Sequence, residues 1–237
     1  MLRIFTDFDG PIMDVSERYY RVYQWCLKQC RQPQQPTRLL SKSEFWRLKR
    51  SRVRESCIGQ LSGLNEAQAR QFAQLRRENV HSLPYLVYDR PISSAIATLE
   101  YLHQAENVEL GIMTMRRWRE LRIPLEDNNL QVFFRRDRCY CLHNDYLKTT
   151  DTEDKTRLMQ QALKELPPVA QTWMIGDTEA DIIAAQTHNV KVIGVLSGIR
   201  DREQLQQYQP DYIARDLAAA VNLIAQRTSI YPSATST

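Results

Sequence analysis

LRIFTDFDG, residues 2–10, begins with apolar residues and ends with two acids, Asp7 and Asp9, before Gly10. The apolar part predicts a short buried β-strand, because a brief apolar run closed by a turn residue is typical of one. Two carboxyl groups this close disfavour each other's ionisation unless a cation neutralises them. Mg²⁺ suits such a site, since one or two carboxylates and substrate phosphate oxygens commonly hold it. The stretch therefore predicts a metal-assisted phosphate site at the end of a strand.

Length and composition indicate a folded domain with a real hydrophobic core. The chain has 237 residues, of which 43% are hydrophobic, and its net charge is +4. This length suffices for one large domain, or for one domain with a small insertion. The mild positive charge fits an anionic substrate but does not require one.

Neither export nor membrane insertion is indicated by the sequence. A strand with charged residues is predicted to begin at residue 2, so no signal peptide is expected. No apolar stretch approaches the ~18 residues that a membrane span needs. The five cysteines are an odd number, and without an export signal they are expected to be reduced thiols. We therefore expect a cytoplasmic protein.

A helical segment follows the first strand. Residues 15–86 contain three stretches of helical periodicity. The first is preceded by Asp14 to Glu17, a pattern typical of a capping box. The second runs from Ser41 towards Cys57, and the third from Asn65 to Val80. We predict a small all-helical insertion over 15–86.

From about residue 87 the pattern changes to alternating helices and strands. Strands are predicted at 108–113, 138–143, 172–175, 190–196 and 212–214, with an amphipathic helix over 155–166. This alternation predicts an α/β fold with a doubly wound, Rossmann-like parallel sheet, whose ligands bind beyond the carboxyl ends of the strands. The core would comprise 1–14 and 87–227, and the Ser/Thr-rich residues 228–237 would form a frayed tail.

Several polar residues fall at predicted strand ends or helix starts: Asp7 with Asp9, Thr114, Lys155, and Asp177 with Asp181. The second acid pair is informative by its spacing. Asp177 directly follows a predicted strand, and Asp181 lies four residues later in the first turn of a helix, where negative charge is favoured. A cation between Asp7 and Asp177 would join distant parts of the chain.

This order of motifs resembles that of the haloacid dehalogenase superfamily, in particular its phosphatase branch with a helical cap after the first strand. Asp7-Phe8-Asp9-Gly10 is similar to the first motif of the family, Thr114 to the second, Lys155 to the third, and Gly176-Asp177 with Asp181 to the fourth. The resemblance covers nearly the whole chain. It implies a phosphatase that hydrolyses a small phosphomonoester through an aspartyl-phosphate intermediate.

The resemblance also assigns roles to the acids. Asp7 would be the nucleophile, and Asp9 would protonate the leaving oxygen and then activate water. Mg²⁺ would be held by the Asp7 carboxylate, the Asp9 main-chain carbonyl and Asp177, with Asp181 in support. Asp9 also favours phosphoryl chemistry over carbon–halogen cleavage, because a halide leaves without a proton.

Two residues would bind the substrate phosphate under the same resemblance. Thr114 would donate a hydrogen bond to a phosphoryl oxygen, and Lys155 would neutralise charge. A helix N-cap remains an alternative for Thr114, and an exposed first-turn lysine for Lys155. Lys148 is a rival motif lysine; Lys155 is preferred because it opens the predicted helix before the fourth motif. Met115-Arg116-Arg117 departs from the smaller residues common in the family, which bears on substrate type.

Other functions stay open for this site. A mutase would return the phosphoryl group to a sugar phosphate. A phosphonate hydrolase would need an imine-forming lysine, for which Lys42 and Lys49 are unmarked candidates. A non-catalytic binding protein could have the same fold. Arginines of the insertion at 47, 50 and 54 form a solvated face or one that meets an anionic substrate. A nucleic-acid partner is the weaker interpretation, because no aromatic stacking platform accompanies them.

Overall fold

The computed structural model describes residues 1–228, so the predicted tail at 228–237 lies outside the described residues except for Thr228. The strands are β1 Leu2–Thr6, β2 Met13–Asp14, β3 Arg90–Pro91, β4 Val108–Arg117, β5 Cys139–Leu142, β6 Gln171–Gly176, β7 Lys191–Val195 and β8 Tyr212–Ala214. The helices are α1 Ser16–Cys30, α2 Lys42–Arg50, α3 Glu55–Leu61, α4 Glu66–Asn79, α5 Leu83–Leu86, α6 Ser93–His103, α7 Trp118–Asp127, α8 Asp151–Glu165, α9 Glu179–Thr187, α10 Arg202–Gln206 and α11 Leu217–Ala225.

Six of these strands form one parallel sheet in the order β5-β4-β1-β6-β7-β8. The first strand lies inside the sheet, where Phe5 is in register with Gly111 of β4 and Met174 of β6. A strand between two neighbours is covered on both faces, and all five residues of β1 are accordingly buried. The predicted α/β fold with a doubly wound parallel sheet is confirmed.

Helices cover the sheet and complete its core. Side chains from three adjacent strands, Phe5, Met113 and Met174, pack with Met159 of α8 and Ile182 of α9. All five side chains are fully buried. Burying each such side chain contributes about 1.5–3 kcal/mol. This core fixes the positions of β1 and β6, whose carboxyl ends carry the predicted acids.

Backbone contacts divide the chain into two compact units. One comprises Met1–Asp14 with the residues from Pro91 onward and contains the sheet. The other is Val15–Arg90, which contains α1 to α5 and spans the predicted insertion at 15–86 with four further residues. Its core centres on stacked Tyr23 and Phe45, whose ring centroids are 4.8 Å apart.

Two local predictions within the helical unit are wrong. The second helix ends at Arg50 instead of continuing towards Cys57, because Arg52 adopts a left-handed backbone with φ of 56° and a separate helix begins at Glu55. No capping box forms at Asp14 to Glu17, since Val15 occupies the N-cap of α1 without a side-chain cap. The capping box at the start of α2 joins Ser41 and Glu44.

None of the helices in the described part of the chain is both long and apolar enough to cross a membrane. The five cysteines are all unpaired thiols.

Candidate active site

Three carboxylates meet at the carboxyl edge of the sheet. Asp7 follows β1, Asp177 follows the adjacent strand β6, and Asp181 lies in the first turn of α9. Each offers an oxygen atom that lies within 4.8 Å of the others, and all three side chains are buried. The structure therefore brings together acids that are up to 174 positions apart in the sequence, from Asp7 to Asp181. Carboxylate oxygens are the donors that Mg²⁺ prefers, so the cluster fits this ion.

Lys155 lies at the centre of this cluster. Its Nζ donates to Asp7 Oδ2 at 2.7 Å and to Asp181 Oδ1 at 2.5 Å. Helix α8 begins at Asp151, so Lys155 lies one turn inside the helix instead of opening it. The expectation of an exposed first-turn lysine is wrong, because the side chain is buried. The rival Lys148 is exposed in the segment before α8.

Asp181 is fixed by the start of its own helix. Its Oδ2 accepts hydrogen bonds from the Thr178 backbone N–H at 3.0 Å and the Thr178 hydroxyl at 2.7 Å. Its Oδ1 accepts from Lys155. Both oxygens of Asp181 thus already have donors, and its clearest structural effect is to hold the ammonium group of Lys155.

Two loops close around Asp177. The backbone N–H of Ile199, in the loop after β7, donates to Asp177 Oδ2 at 2.6 Å. A Cβ added at Gly198 would lie 1.9 Å from the same oxygen, and one added at Gly10 would lie 2.5 Å from Asp177 Cγ. Gly10 also has φ of 96°, which non-glycine residues rarely adopt. Sequence reasoning missed Gly198 and Ile199, although a glycine shortly after a strand was a usable signal.

Burial and mutual repulsion make the cluster electrostatically strained. Burial, with added repulsion from Asp181 and Asp9, raises the pKa of Asp7 to about 7 although Lys155 opposes the shift. Burial and the charges of Asp7 and Asp181 raise the pKa of Asp177 well above its ordinary value. Burial alone would lower the pKa of Lys155, but Asp181 and Asp7 raise it overall. One lysine faces three acids, so a bound divalent cation would relieve the repulsion.

The side chain of Asp9 lies outside this cluster and pairs with an arginine instead. Arg116 directs Nε and Nη2 to Asp9 Oδ1 at 2.8 Å and 2.6 Å. Arg116 follows Thr114 on β4 by two residues and is buried. Sequence reasoning marked Arg116 as a departure from the family pattern that bears on substrate type, and it missed the pairing with Asp9. An arginine so close to a motif residue was the available signal.

Thr114 lies at the same edge of the sheet as Asp7. Strand β4 pairs with β1 up to Ile112 and Thr6, and Thr114 follows two residues later. The residue is buried, and its hydroxyl oxygen accepts a hydrogen bond from the Arg116 backbone N–H at 3.4 Å. The helix N-cap alternative for Thr114 is wrong, because α7 begins at Trp118 and Arg117 is its N-cap.

The parallel α/β sheet is that of Rossmann-like proteins, which bind ligands beyond the carboxyl edge of the sheet. The buried acidic cluster of this chain lies at the same edge. A family model described as HAD-hydrolase-like matches residues 155–220 of the chain. The match includes Lys155, Asp177 and Asp181. Over residues 155–220 the chain is therefore similar to HAD-like hydrolases.

Curated proteins are similar to about half of the chain. The chain is 28% identical over 127 residues to the pyrophosphatase PpaX of Oceanobacillus iheyensis and 25% identical to that of Anoxybacillus flavithermus. Each match covers 54% of this chain and 56% of the relative, so the chain spans about half the length of these curated relatives.

Solved structures show the same fold. A proposed phosphatase from Clostridium difficile superposes with a TM-score of 0.72 and 17% identity, covering 94% of this chain and 97% of that one. A haloacid dehalogenase-like hydrolase from Streptococcus pneumoniae superposes with a TM-score of 0.66 and 22% identity, covering 95% of this chain and 98% of that one.

Proposed function

We propose that this protein is a Mg²⁺-dependent phosphatase that hydrolyses a small phosphorylated metabolite in the cytoplasm through an aspartyl phosphate on Asp7. The observation that carries the proposal is the environment of the Asp7 carboxylate. It is buried beside Lys155 and shares a possible ion site with Asp177. The unpaired cysteines fit a reducing compartment.

The first half of the reaction uses Asp7 as the nucleophile. An Asp7 oxygen attacks phosphorus, a new O–P bond forms, and the P–O bond to the leaving group breaks. Asp9 gives its proton to the leaving oxygen, which departs as an alcohol. Asp7 is oriented for attack because Oδ1 accepts from the Phe8 backbone N–H at 2.6 Å and Oδ2 accepts from Lys155.

The second half returns the protein to its starting state. Asp9 takes a proton from a water molecule whose oxygen attacks the same phosphorus. The bond between Asp7 and phosphorus then breaks and inorganic phosphate leaves. One residue can serve as acid and then as base because its proton, lost in the first half, is regained in the second.

The remaining residues neutralise and orient the phosphoryl group. Mg²⁺ would be held by the Asp7 carboxylate, the Asp9 main-chain carbonyl and Asp177, with Asp181 in support, and when bound it offsets repulsion between carboxylate and phosphate. Lys155 supplies a fixed positive charge beside Asp7. Thr114 would donate its hydroxyl proton to a phosphoryl oxygen. Preorganised groups of this kind contribute much of phosphoryl-transfer catalysis.

The helical unit Val15–Arg90 is assigned as the cap that selects the substrate. The PpaX relatives are named pyrophosphatases. Inorganic pyrophosphate therefore belongs in a substrate panel together with small phosphomonoesters.

The decisive experiment replaces Asp7 with Asn. Phosphate release from the panel and from p-nitrophenyl phosphate should fall by more than about 10³-fold, because the covalent route is lost. Circular dichroism should show an unchanged fold. Asp145→Asn, at an exposed position, is the matched control and should retain full activity.

Three outcomes would contradict the proposal. Retained activity in Asp7→Asn would contradict the assignment of Asp7 as the nucleophile. Wild-type protein that releases no phosphate from any panel member would indicate a binding protein. Isomerisation of a sugar phosphate without net phosphate release would indicate a mutase.

A further inference from the structure

We infer that Arg116 is a positioning residue that orients Asp9 for proton transfer to the leaving oxygen. This inference rests on the proposed phosphatase function and extends it to a residue with no assigned role.

Contacts on several sides hold the Arg116 side chain. Nε and Nη2 both lie on Asp9 Oδ1, at 2.8 Å and 2.6 Å. Nη1 donates to the Glu120 carbonyl oxygen in α7 at 3.0 Å. The Phe8 ring lies under the guanidinium group, with its centroid 5.0 Å from Cζ. The group is thereby held against α7, the Phe8 ring and Asp9 itself.

The two partners differ in their access to solvent. The side chain of Arg116 is 1% exposed, whereas that of Asp9 is 24% exposed. Arg116 is therefore shielded from a substrate by the surrounding protein, while Asp9 keeps an accessible surface at the edge of the sheet. This arrangement is typical of a residue that acts on the substrate through its neighbour.

The shape of the guanidinium group gives this contact its directional effect. A planar fork with several fixed N–H groups restricts a carboxylate more than the single, freely rotating ammonium of lysine does. Asp9 is held by Arg116 across 107 positions of sequence. Without this contact, Asp9 would adopt several rotamers, and fewer of them would place its proton near the leaving oxygen.

This role predicts a dependence on the leaving group. Phenyl phosphate loses a basic phenolate and needs a proton from Asp9, whereas 2,4-dinitrophenyl phosphate loses a stable anion and needs almost none. Loss of Arg116 should therefore impair hydrolysis of the first ester much more than of the second. A purely structural role, or a role in binding phosphate, would impair both esters equally.

The test compares kcat/KM for the two esters in Arg116→Met, Asp9→Asn and the double variant. Arg116→Met should lower kcat/KM for phenyl phosphate about 10- to 100-fold more than for the dinitrophenyl ester. This loss should come from a lower kcat and not from a higher KM. The double variant should lose little beyond Asp9→Asn, because the two residues act as one unit. Arg116→Lys should restore part of the loss. Arg119→Met, at an exposed position nearby, should leave the ratio of the two esters unchanged.

The possible outcomes separate this inference from the proposed function. Equal losses of kcat/KM for both esters in Arg116→Met, or additive losses in the double variant, overturn the role of Arg116. The proposed function would still stand if Asp7→Asn is inactive and Asp9→Asn shows the leaving-group dependence. If wild-type protein releases phosphate from neither ester and from no member of the substrate panel, the proposed function fails and the inference fails with it. If Arg116→Met does not fold, Arg116→Lys in the same comparison decides, since it retains the charge but loses the fork.

Discussion

Lys155 combines a stabilising position among buried acids with the phosphate-neutralising role proposed above. Its ammonium group is buried between Asp7 and Asp181, at hydrogen-bonding distance from each. Taking such charges out of water costs several kcal/mol for each ion, and mutual attraction offsets that cost only in good geometry. Removing the one partner that carries a positive charge would leave buried acids uncompensated. The residue that neutralises phosphate in the proposed reaction also stabilises the buried acids in the folded state.

Lys155→Met should therefore destabilise the protein by about 3–5 kcal/mol, because it breaks a buried ion pair from one side. Urea unfolding in the presence of a chelator measures this change. Lys148→Met is the matched control, because Lys148 is exposed, and it should change the free energy of unfolding by no more than about 0.5 kcal/mol. Equal effects of the two substitutions would contradict the central position of Lys155.

At the scale of elements, the loops that follow the strands decide the shape of the site. The loop after β1 contains Gly10, and the loop after β7 contains Ser197, whose hydroxyl donates to the Gly10 carbonyl oxygen at 2.8 Å. Ile199 of the second loop donates to Asp177. The two loops are thus tied together around one carboxylate, and their small residues leave room for it.

Gly10→Ala should weaken Mg²⁺ binding and activity, because its Cβ would lie 2.5 Å from Asp177 Cγ. Gly63→Ala is the matched control: Gly63 also has a positive φ, 90°, but lies in the helical unit. Both substitutions should cost stability by about 1 kcal/mol or more through backbone strain. Isothermal titration with Mg²⁺ should show reduced affinity only for Gly10→Ala; an equal reduction in both variants would refute the steric argument.

At the scale of the whole molecule, the buried acids make folding stability depend on pH. The pKa of Asp7 rises from an ordinary 3.8 to about 7 through burial, and that of Asp177 rises too. At pH values between 3.8 and about 7, folded protein keeps the Asp7 proton that the unfolded chain has released. The free energy of unfolding therefore falls as pH increases through this range. The raised pKa of Lys155 acts only above its ordinary value of 10.5, so it does not alter this trend near neutrality.

Metal-free protein should therefore have a lower Tm at pH 7.5 than at pH 5. Added Mg²⁺ should raise the Tm more at pH 7.5 than at pH 5, because protons compete with the ion for the same carboxylates. Chelation should reverse the stabilisation and abolish activity. Asp177→Asn should lose most of the Mg²⁺ effect, and a wild-type Tm independent of Mg²⁺ at pH 7.5 would count against a metal site here.

Local patterns were sufficient for much of the fold and for the positions of the acids. The alternation of strands and helices predicted the parallel sheet, because buried strands and amphipathic helices have different hydrophobic periods. Acids at the ends of β1 and β6 were predictable for a related reason: polar residues directly after a buried strand lie at the edge of the sheet. Backbone conformations such as that of Arg52, which ends α2 early, leave little trace in hydrophobic periodicity.

Sequence alone thus determined which chemical groups the chain offers and at which edge of the sheet they lie. Only tertiary structure decided which of them touch. It buried Lys155 instead of Lys148, closed the loop of Gly198 onto Asp177, and paired Arg116 with Asp9. The physical reason is that strand and helix periods are local properties, whereas an ion pair across 107 positions depends on how strands order themselves in the sheet.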